Sequence, residues 1–243
     1  MLSALRHDPT LPGNILFVTA TDTNVGKTCI CGLLLDFLLR AGRHAVYQKW
    51  AACGGGGLDD LQSCLALCEK KPAPITPDLQ TPYRYRAAVA PHLAAELEGR
   101  PPIDPAVLKK SSQTLAGQHE ILLVEGVGGL LVPLRRDLLL ADLVAELNLS
   151  TLIVARSGLG TINHTLLTIE AARHRGIRLL GVIFTDSEPD ADEALVRDNM
   201  QTVADLGRIT VIGRLPSFTD PGQARAAFAG LGAKILALLD AKD

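Results

Sequence analysis

A short segment near the N-terminus constrains the fold of this chain more than any other. Residues 20–28 have the sequence Ala-Thr-Asp-Thr-Asn-Val-Gly-Lys-Thr, between an apolar run at 15–18 and an apolar helical pattern that starts at Cys29. A strand, a tight loop ending in Gly-Lys-Thr and a helix are the three parts of a phosphate-binding P-loop. Backbone N–H groups of such a loop and of the helix N-terminus point at phosphate oxygens. The segment therefore predicts a nucleoside triphosphate site, and the alternative is a strand-to-helix turn with an exposed lysine.

The polar residues of this loop have separate expected roles. We expect Lys27 to reach the terminal phosphates and the Thr28 hydroxyl to bind Mg²⁺. The loop departs from the common Gly-x4-Gly-Lys-Ser/Thr spacing, because Ala20 stands at its start and five residues separate it from Gly26. Thr21-Asp22-Thr23 places three polar side chains where such loops are usually rich in glycine. The loop is therefore predicted to bind a nucleotide and also to contact a second ligand.

Composition and charge argue against several classes of partner. The chain has 243 residues, of which 47% are hydrophobic and 21% charged, and its net charge is −2. With no run of Lys and Arg, nothing indicates binding to nucleic acid or to a membrane surface. Residues 1–13 contain charges and two prolines but no apolar signal-peptide core. We therefore predict a flexible extension at 1–13, one domain at 14–243 and a cytoplasmic location.

Short apolar runs typical of buried strands alternate with helical patterns along the chain. The strand candidates are 14–19, 45–50, 121–125, 151–155, 179–184 and 209–213. The helix candidates are 27–41, 59–69, 105–117, 138–147, 161–175, 190–206 and 221–239. Strands that are apolar at successive positions are typical of a parallel sheet buried on both faces. The pattern predicts a doubly wound α/β fold of the P-loop nucleoside triphosphatase type, with ligands beyond the carboxyl ends of the strands.

One segment interrupts this alternation. Residues 70–104 contain seven prolines and a single short helix candidate, at 92–98. A long irregular segment inside a compact domain is usually functional. We expect it to form a lid or one wall of a substrate site.

The five cysteines fall into two groups. Cys29, Cys31, Cys64 and Cys68 lie in predicted apolar helices, lack zinc-site spacing and are expected to be core residues. Cys53 instead lies in a glycine-rich loop four residues after Lys49. We expect it to contact a ligand, and the nearby ammonium to make its thiol the most readily alkylated of the five.

Charged residues end two of the predicted strands. Lys49 stands at a buried strand end, where a cation is costly unless an anion lies nearby. It is predicted to face a phosphate or carboxylate, or else to extend to solvent. The glycines at 54–57 either allow close approach of a ligand or form a mobile loop, and the sequence leaves both open. The apolar run 121–124 closes on Glu125 and then on Gly126-Val127-Gly128, the Walker B pattern in which the acid holds Mg²⁺.

Polar residues also open two of the predicted helices and follow one of the predicted strands. Asp59 and Asp60 open a predicted helix, where acids are most often N-caps, but either could supply a second carboxylate to the metal. Thr161 and Asn163 open another helix and are candidate caps. Thr185-Asp186 follows a strand at a place where nucleotide-binding α/β folds often contact the base.

These motifs together closely resemble the dethiobiotin synthetase family over nearly the whole chain. The matching stretches are Thr21-Asp22-Thr23-x-Val25-Gly26-Lys27-Thr28, Tyr47-Gln48-Lys49-Trp50, Pro91-His92-Leu93, Glu98-Gly99-Arg100-Pro101, Val124-Glu125-Gly126-x-Gly128-Gly129 and Gly158-Leu159-Gly160-Thr161-Ile162-Asn163-His164. The first motif alone is shared more widely among P-loop ligases, whereas the combination is highly specific.

The resemblance implies carboxylation of 7,8-diaminopelargonate with CO₂ and closure of a cyclic urea, with hydrolysis of MgATP, in a homodimer. The catalytic residues that it implies are Lys27, Lys49 and Thr23. The implied nucleotide contacts are Asn24, Val25, Gly26, Lys27, Thr28, Cys29, Asp60, Glu125, Gly126, Val127, Gly128, Thr185, Asp186, Pro216, Ser217 and Phe218. The implied substrate contacts are Thr23, Lys49, Cys53, Gly160, Thr161 and Asn163, of which the Gly160–Asn163 segment completes the site across the dimer, and the implied Mg²⁺ ligands are Thr28, Asp60 and Glu125.

Some positions depart from the family pattern, and two other functions remain open. The chain has Ala20 where glycine is usual, Asn24 where some members have glutamate, Trp50 for proline, Cys53 for a hydroxyl residue and Thr185 for asparagine. One alternative is another amide-forming or carboxylating P-loop ligase. The other is a nucleotide-switch ATPase of the partitioning or regulatory class. Such switches commonly carry an extra lysine near the start of the P-loop, and the sequence has none between Val18 and Gly26.

Overall fold

The computed structural model describes residues 14–55, 59–186 and 192–241. The predicted extension at 1–13 and two glycines of the run at 54–57 lie outside these residues. The strands are β1 (Ile15–Ala20), β2 (Ala45–Lys49), β3 (Ala51–Cys53), β4 (Tyr83–Tyr85), β5 (Ile121–Glu125), β6 (Pro133–Arg135), β7 (Leu138–Leu139), β8 (Ser150–Arg156), β9 (Leu179–Thr185) and β10 (Val211–Leu215). The helices are α1 (Lys27–Arg40), α2 (Asp60–Leu67), α3 (Pro77–Gln80), α4 (Pro91–Leu97), α5 (Pro105–Ala116), α6 (Leu140–Glu146), α7 (Thr161–His174), α8 (Glu193–Gly207) and α9 (Pro221–Asp240).

Six strands form a parallel sheet in the order β10-β9-β8-β1-β5-β2. They are the six predicted strands, with ends shifted by two residues or fewer, and the doubly wound α/β prediction is confirmed. Their carboxyl ends meet at one edge of the sheet, where the P-loop follows β1. The register of β2 on β5 places Lys49 directly beside Glu125. Two charged residues that are far apart in the sequence are therefore neighbours on the same face.

The alternation of side chains along β1 divides the core between the two faces of the sheet. Leu16, Val18 and Ala20 pack with α1 and α9, whereas Ile15 and Phe17 pack with the side that carries α5 and α6. All five are at most 2% exposed. Burial of each large side chain contributes about 1.5–3 kcal/mol, so both layers hold the central strand in place. Among the described residues, no helix is both long and apolar enough to span a membrane.

The segment 70–104 and the region after β5 contain small elements that the sequence patterns do not predict. In the first, α3 precedes β4 and β4 pairs in parallel with β3, whereas α4 matches the helix candidate at 92–98. In the second, β6 pairs with β7, so the predicted helix at 138–147 instead begins with a strand and becomes helical at Leu140. Strands of two or three residues are too short to show a hydrophobic period.

Candidate active site

The loop between β1 and α1 contains two residues in the left-handed backbone conformation. Asn24 and Gly26 have positive φ angles of 55° and 92°, and Gly26 is the N-cap of α1. Asparagine tolerates this left-handed conformation better than most residues. At Gly26 an added Cβ would also lie 3.3 Å from Thr185 Cγ2. Val25 between them is buried, which anchors the loop to the core.

Lys27 is buried under the loop that it closes. Its ammonium donates a hydrogen bond to the Asp22 carbonyl oxygen at 3.1 Å, and the residue is only 6% exposed. Burial, and then the nearby charge of Lys49, lower the pKa of Lys27 from 10.5 to about 8. The site thus holds a cation whose solvation is poor, an arrangement that favours binding of an anion.

This lowered pKa predicts that stability depends on pH through Lys27. Below pH 8 the lysine is charged in both states, so the folded protein bears the full cost of burying it, about 3 kcal/mol. Between pH 8 and 10.5 the folded state loses the proton first, so this cost disappears as the pH rises. Urea unfolding of wild type and Lys27→Met is expected to show a difference favouring the variant at pH 7 and shrinking towards pH 10. A difference that is constant with pH would contradict the assignment.

Four polar side chains converge beside Lys27, at the carboxyl ends of β2 and β5. Lys49 Nζ lies 2.5 Å from Glu125 Oε1 and 3.0 Å from Asp60 Oδ2. The Thr28 hydroxyl donates to the same Glu125 oxygen at 2.9 Å and lies 3.4 Å from Asp60 Oδ1. Burial by itself lowers the pKa of Lys49, but Glu125 and Asp60 outweigh it and hold that pKa above its usual value. Lys49 is 4% exposed, so the alternative in which it extends to solvent is excluded.

The oxygen atoms of this cluster fit a magnesium ion. The Thr28 hydroxyl lies within hydrogen-bond distance of the carboxylates of both Asp60 and Glu125. Mg²⁺ is typically bound by one or two carboxylates together with water and substrate phosphates. Within the described ranges no group of three or more His, Cys, Asp and Glu side chains is placed to hold a metal ion. Asp59, in contrast, is the N-cap of α2 and pairs with Arg84 at 3.5 Å, so Asp60 is the acid that faces the cluster.

A cleft of about 720 Å³ opens above these charges. Among the sequence-predicted residues, it is lined by Thr23, Asn24, Gly26, Lys27, Thr28, Lys49, Cys53, Asp60, Glu125, Val127 and Gly128. Ala88, Val89 and Ala90 supply a wall from the segment 70–104, and Val132 adds a further apolar contact. The proline content indicated that this segment was functional, but no sequence signal marked these three small side chains.

Cys53 lines the cleft, but the expected lowering of its thiol pKa by Lys49 is wrong in direction. Its rank as the most readily alkylated of the five cysteines stays a prediction. It lies in β3 and is half-buried, where a glycine-rich loop was expected. Burial outweighs the opposing charge of Lys49 and raises the pKa of the thiol to about 11. The pKa values of Cys29 and Cys68 are also raised by burial, to about 12 and about 11.

We therefore expect Cys53 to be alkylated slowly. With a pKa near 11 its thiolate fraction at pH 7.5 is about a hundredfold below that of an unperturbed thiol. Iodoacetamide labelling followed by peptide mapping should show this low rate, rising with pH, and Cys53→Ser should retain activity. Labelling of Cys53 as fast as that of free cysteine would contradict the burial argument.

Several predicted nucleotide contacts lie behind the loop or beside it. The Thr185 hydroxyl donates to the Val25 carbonyl oxygen at 2.7 Å, so it supports the P-loop backbone. Asp186 forms a two-point ion pair with Arg214, whose nearest nitrogen is 2.6 Å away. Five other predicted contacts do not line the cleft, namely half-buried Cys29, buried Gly126 against the Phe17 ring, and Pro216 with the half-buried pair Ser217 and Phe218 after β10. Their contacts with a nucleotide remain predictions.

The segment at the start of α7 does not contribute to the cleft within one chain. Gly160 is the N-cap, with φ of 86°, and Asn163 is exposed. Thr161 is fully buried and its hydroxyl contacts that of Thr165 at 3.2 Å, so its side chain is not available to a substrate. Leu159, next to the N-cap, is 87% exposed. Leu159 and Asn163 therefore present one apolar and one polar side chain on this surface.

Two side chains that contact site residues were not predicted from the sequence. The Tyr47 hydroxyl donates to Glu125 Oε2 at 2.8 Å, and Arg156 Nη2 donates to Asp22 Oδ2 at 2.6 Å. Asp22 in turn accepts a hydrogen bond from the backbone N–H of Thr23 at 2.7 Å. Neither Tyr47 nor Arg156 is adjacent in sequence to its partner, so no local pattern indicated these contacts.

Comparison with solved structures identifies the architecture. The chain is similar to the cell division ATPase MinD of Pyrococcus furiosus, with a TM-score of 0.57, 14% identity and coverage of 93% of this chain and 99% of that one. It is also similar to the MinC:MinD complex of Aquifex aeolicus, with a TM-score of 0.56, 16% identity and coverage of 92% and 96%. At these identities the likeness shows the P-loop fold alone.

Sequence comparisons show the family. A family model described as an AAA domain matches residues 14–225. A protein from Anaeromyxobacter sp. (strain K), named ATP-dependent dethiobiotin synthetase BioD, is 40% identical over 223 residues, covering 90% of this chain and 98% of the relative. Relatives of the same name from Brachyspira hyodysenteriae and Methanocaldococcus jannaschii are 35% and 32% identical, covering 82% and 85% of this chain and 90% and 95% of their own lengths. With these identities, and with Lys27, Lys49 and Glu125 gathered in one cleft, the chain belongs to the ATP-dependent dethiobiotin synthetase family.

Proposed function

We propose that this chain converts 7,8-diaminopelargonate, CO₂ and ATP to dethiobiotin, ADP and phosphate, a step of biotin biosynthesis. The observation that carries the proposal is that one cleft contains both a candidate phosphate site and a second buried lysine. Lys27 and Thr28 supply a phosphate site, and Lys49 lies beside it with its charge shared between two carboxylates. A simple nucleotide switch has no need of the second lysine or of the apolar wall at Ala88–Ala90.

The residues would act by positioning and by charge stabilisation. A neutral amine of the substrate adds to CO₂ and loses a proton, which gives a carbamate. A carbamate oxygen attacks the γ-phosphorus of ATP, and ADP leaves. The second amine then attacks the carbamoyl carbon of the mixed anhydride and loses a proton, phosphate leaves and the cyclic urea closes. Lys27 would hold the transferred phosphoryl group, Lys49 the carbamate oxygens and Thr23 the diamine.

Mg²⁺ would be held by Thr28, Asp60 and Glu125 and would neutralise charge on the β- and γ-phosphates. In this structure Lys49 forms ion pairs with the carboxylates of both Asp60 and Glu125. These two contacts use two of the three N–H donors of its ammonium, which leaves one donor for a carbamate oxygen. We also propose that the enzyme works in the cytoplasm without nucleic acid or membrane partners.

The test is ADP release measured with and without each small substrate. We expect fast release when ATP, Mg²⁺, the diamine and bicarbonate are all present, and at least a tenfold lower rate when the diamine is omitted. The product should elute with authentic dethiobiotin in liquid chromatography and have the same mass by mass spectrometry. ADP release that is independent of the diamine but stimulated by DNA, membranes or a protein would favour the partitioning ATPase instead.

A homodimer with shared sites is part of the proposal, because Asn163 and Leu159 are exposed near the start of α7. Mixing inactive Lys27→Ala and Asn163→Ala subunits should restore activity in one site of each heterodimer, to about a quarter of the wild-type rate after random exchange. Assays after subunit exchange, with each variant alone as the control, would measure it. A fully active monomer by light scattering at assay concentration would contradict the shared site.

A further inference from the structure

Glu125 is held by hydrogen bonds to both of its carboxylate oxygens. The residue is fully buried, and Oε1 accepts from Thr28 at 2.9 Å and from Lys49 at 2.5 Å. The other oxygen, Oε2, accepts from the Tyr47 hydroxyl at 2.8 Å. A buried carboxylate oxygen without a donor is costly, so each of these contacts constrains how the group is oriented.

The sheet explains why Tyr47 reaches this carboxylate. Residues two apart on a strand project to the same face, so Tyr47 and Lys49 both extend from β2 towards the α1 side of the sheet. Glu125, on the neighbouring strand β5, is paired with Lys49 and lies on that face as well. The Tyr47 ring is fully buried in the core with Cys31 and Leu123, which fixes the position of its hydroxyl.

We propose that Tyr47 is a positioning residue for Glu125. By binding Oε2, it keeps Oε1 directed at Thr28 and at the position proposed for Mg²⁺. This inference rests on the metal role of Glu125 in the proposed function. Without the hydroxyl, the carboxylate can rotate so that both oxygens face Lys49, and the lysine then competes more strongly with the metal for Glu125.

The test variant is Tyr47→Phe, which keeps the buried ring and removes one hydroxyl. A matched control is Tyr85→Phe, because the Tyr85 hydroxyl is also buried but has no hydrogen-bond partner among the described residues. Binding of ATP is measured by isothermal titration calorimetry at a series of Mg²⁺ concentrations and also without metal. We expect the Mg²⁺ concentration for half-maximal enhancement of binding to rise about tenfold in Tyr47→Phe. Metal-free ATP binding should remain within about twofold of wild type, and Tyr85→Phe should match wild type in both measurements.

A third variant separates failure of this inference from failure of the proposed function. Glu125→Gln should raise the Mg²⁺ requirement further than Tyr47→Phe does. If Glu125→Gln raises it and Tyr47→Phe does not, the positioning role is overturned and the metal role stands. If neither variant changes it, both are overturned. A lower melting temperature of Tyr47→Phe with an unchanged Mg²⁺ requirement would mean that the hydroxyl is structural, and this result also overturns the inference.

Discussion

Replacing Lys27 with alanine is expected to lower the rate of phosphoryl transfer by several orders of magnitude. Its ammonium lies under the P-loop, poorly solvated and with its pKa lowered by burial to about 8. Electrostatic contacts of this kind in a water-excluded site contribute about 3–4 kcal/mol or more to the transition state. Single-turnover measurement of ADP formation with saturating ATP, diamine and bicarbonate would give the size of the effect.

A control variant and a pH series accompany this measurement. Lys110→Ala, on the exposed face of α5, removes a lysine far from the cleft and should leave the rate unchanged. A pH series should show Lys27 fully charged when ATP is bound, because phosphate opposes the loss of its proton. A rate for Lys27→Ala within tenfold of wild type would remove Lys27 from the catalytic role.

Replacing Lys49 with alanine is expected to abolish turnover and also to destabilise the fold. Lys49 neutralises the fully buried carboxylate of Glu125 at 2.5 Å. Removing one partner of a buried ion pair leaves an uncompensated charge and costs about 3–5 kcal/mol. Because the folded-state pKa of Lys49 is raised, its stabilising contribution is fully present below pH 10.5 and is lost only above that. The loss measured by urea unfolding should therefore be the same at pH 7 and pH 8.

Activity and binding separate the two roles of this residue. MgATP binding to Lys49→Ala should persist, whereas productive binding of the diamine should be lost. The double variant Lys49→Ala with Glu125→Gln should recover stability without recovering turnover, since the uncompensated charge is then absent. Turnover and apparent diamine affinity within a few-fold of wild type in Lys49→Ala would show that the proposed carbamate contact is wrong.

The fold was largely predictable because its signals are local. The central strands of the sheet contain runs of apolar residues, such as 15–18 and 121–124, which a strand buried on both faces requires. The P-loop shows itself in consecutive residues, from Ala20 to Thr28, and Glu125 marks the end of its strand. The short pairs β3–β4 and β6–β7 were missed, because two or three residues cannot show a period, and their pairing depends on partners distant in the sequence.

The sequence by itself determined the chemical groups of the site, since Lys27, Thr28, Lys49 and Glu125 each stand at the end of a strand or the start of a helix. Only the tertiary structure decided how those groups are used. Burial reversed the expected direction of the pKa shift of Cys53, and strand register placed Lys49 between Asp60 and Glu125. The tertiary structure also places Asp60, and not Asp59, beside Lys49. These properties depend on desolvation and on distances between residues far apart in the chain, which the order of the residues does not contain.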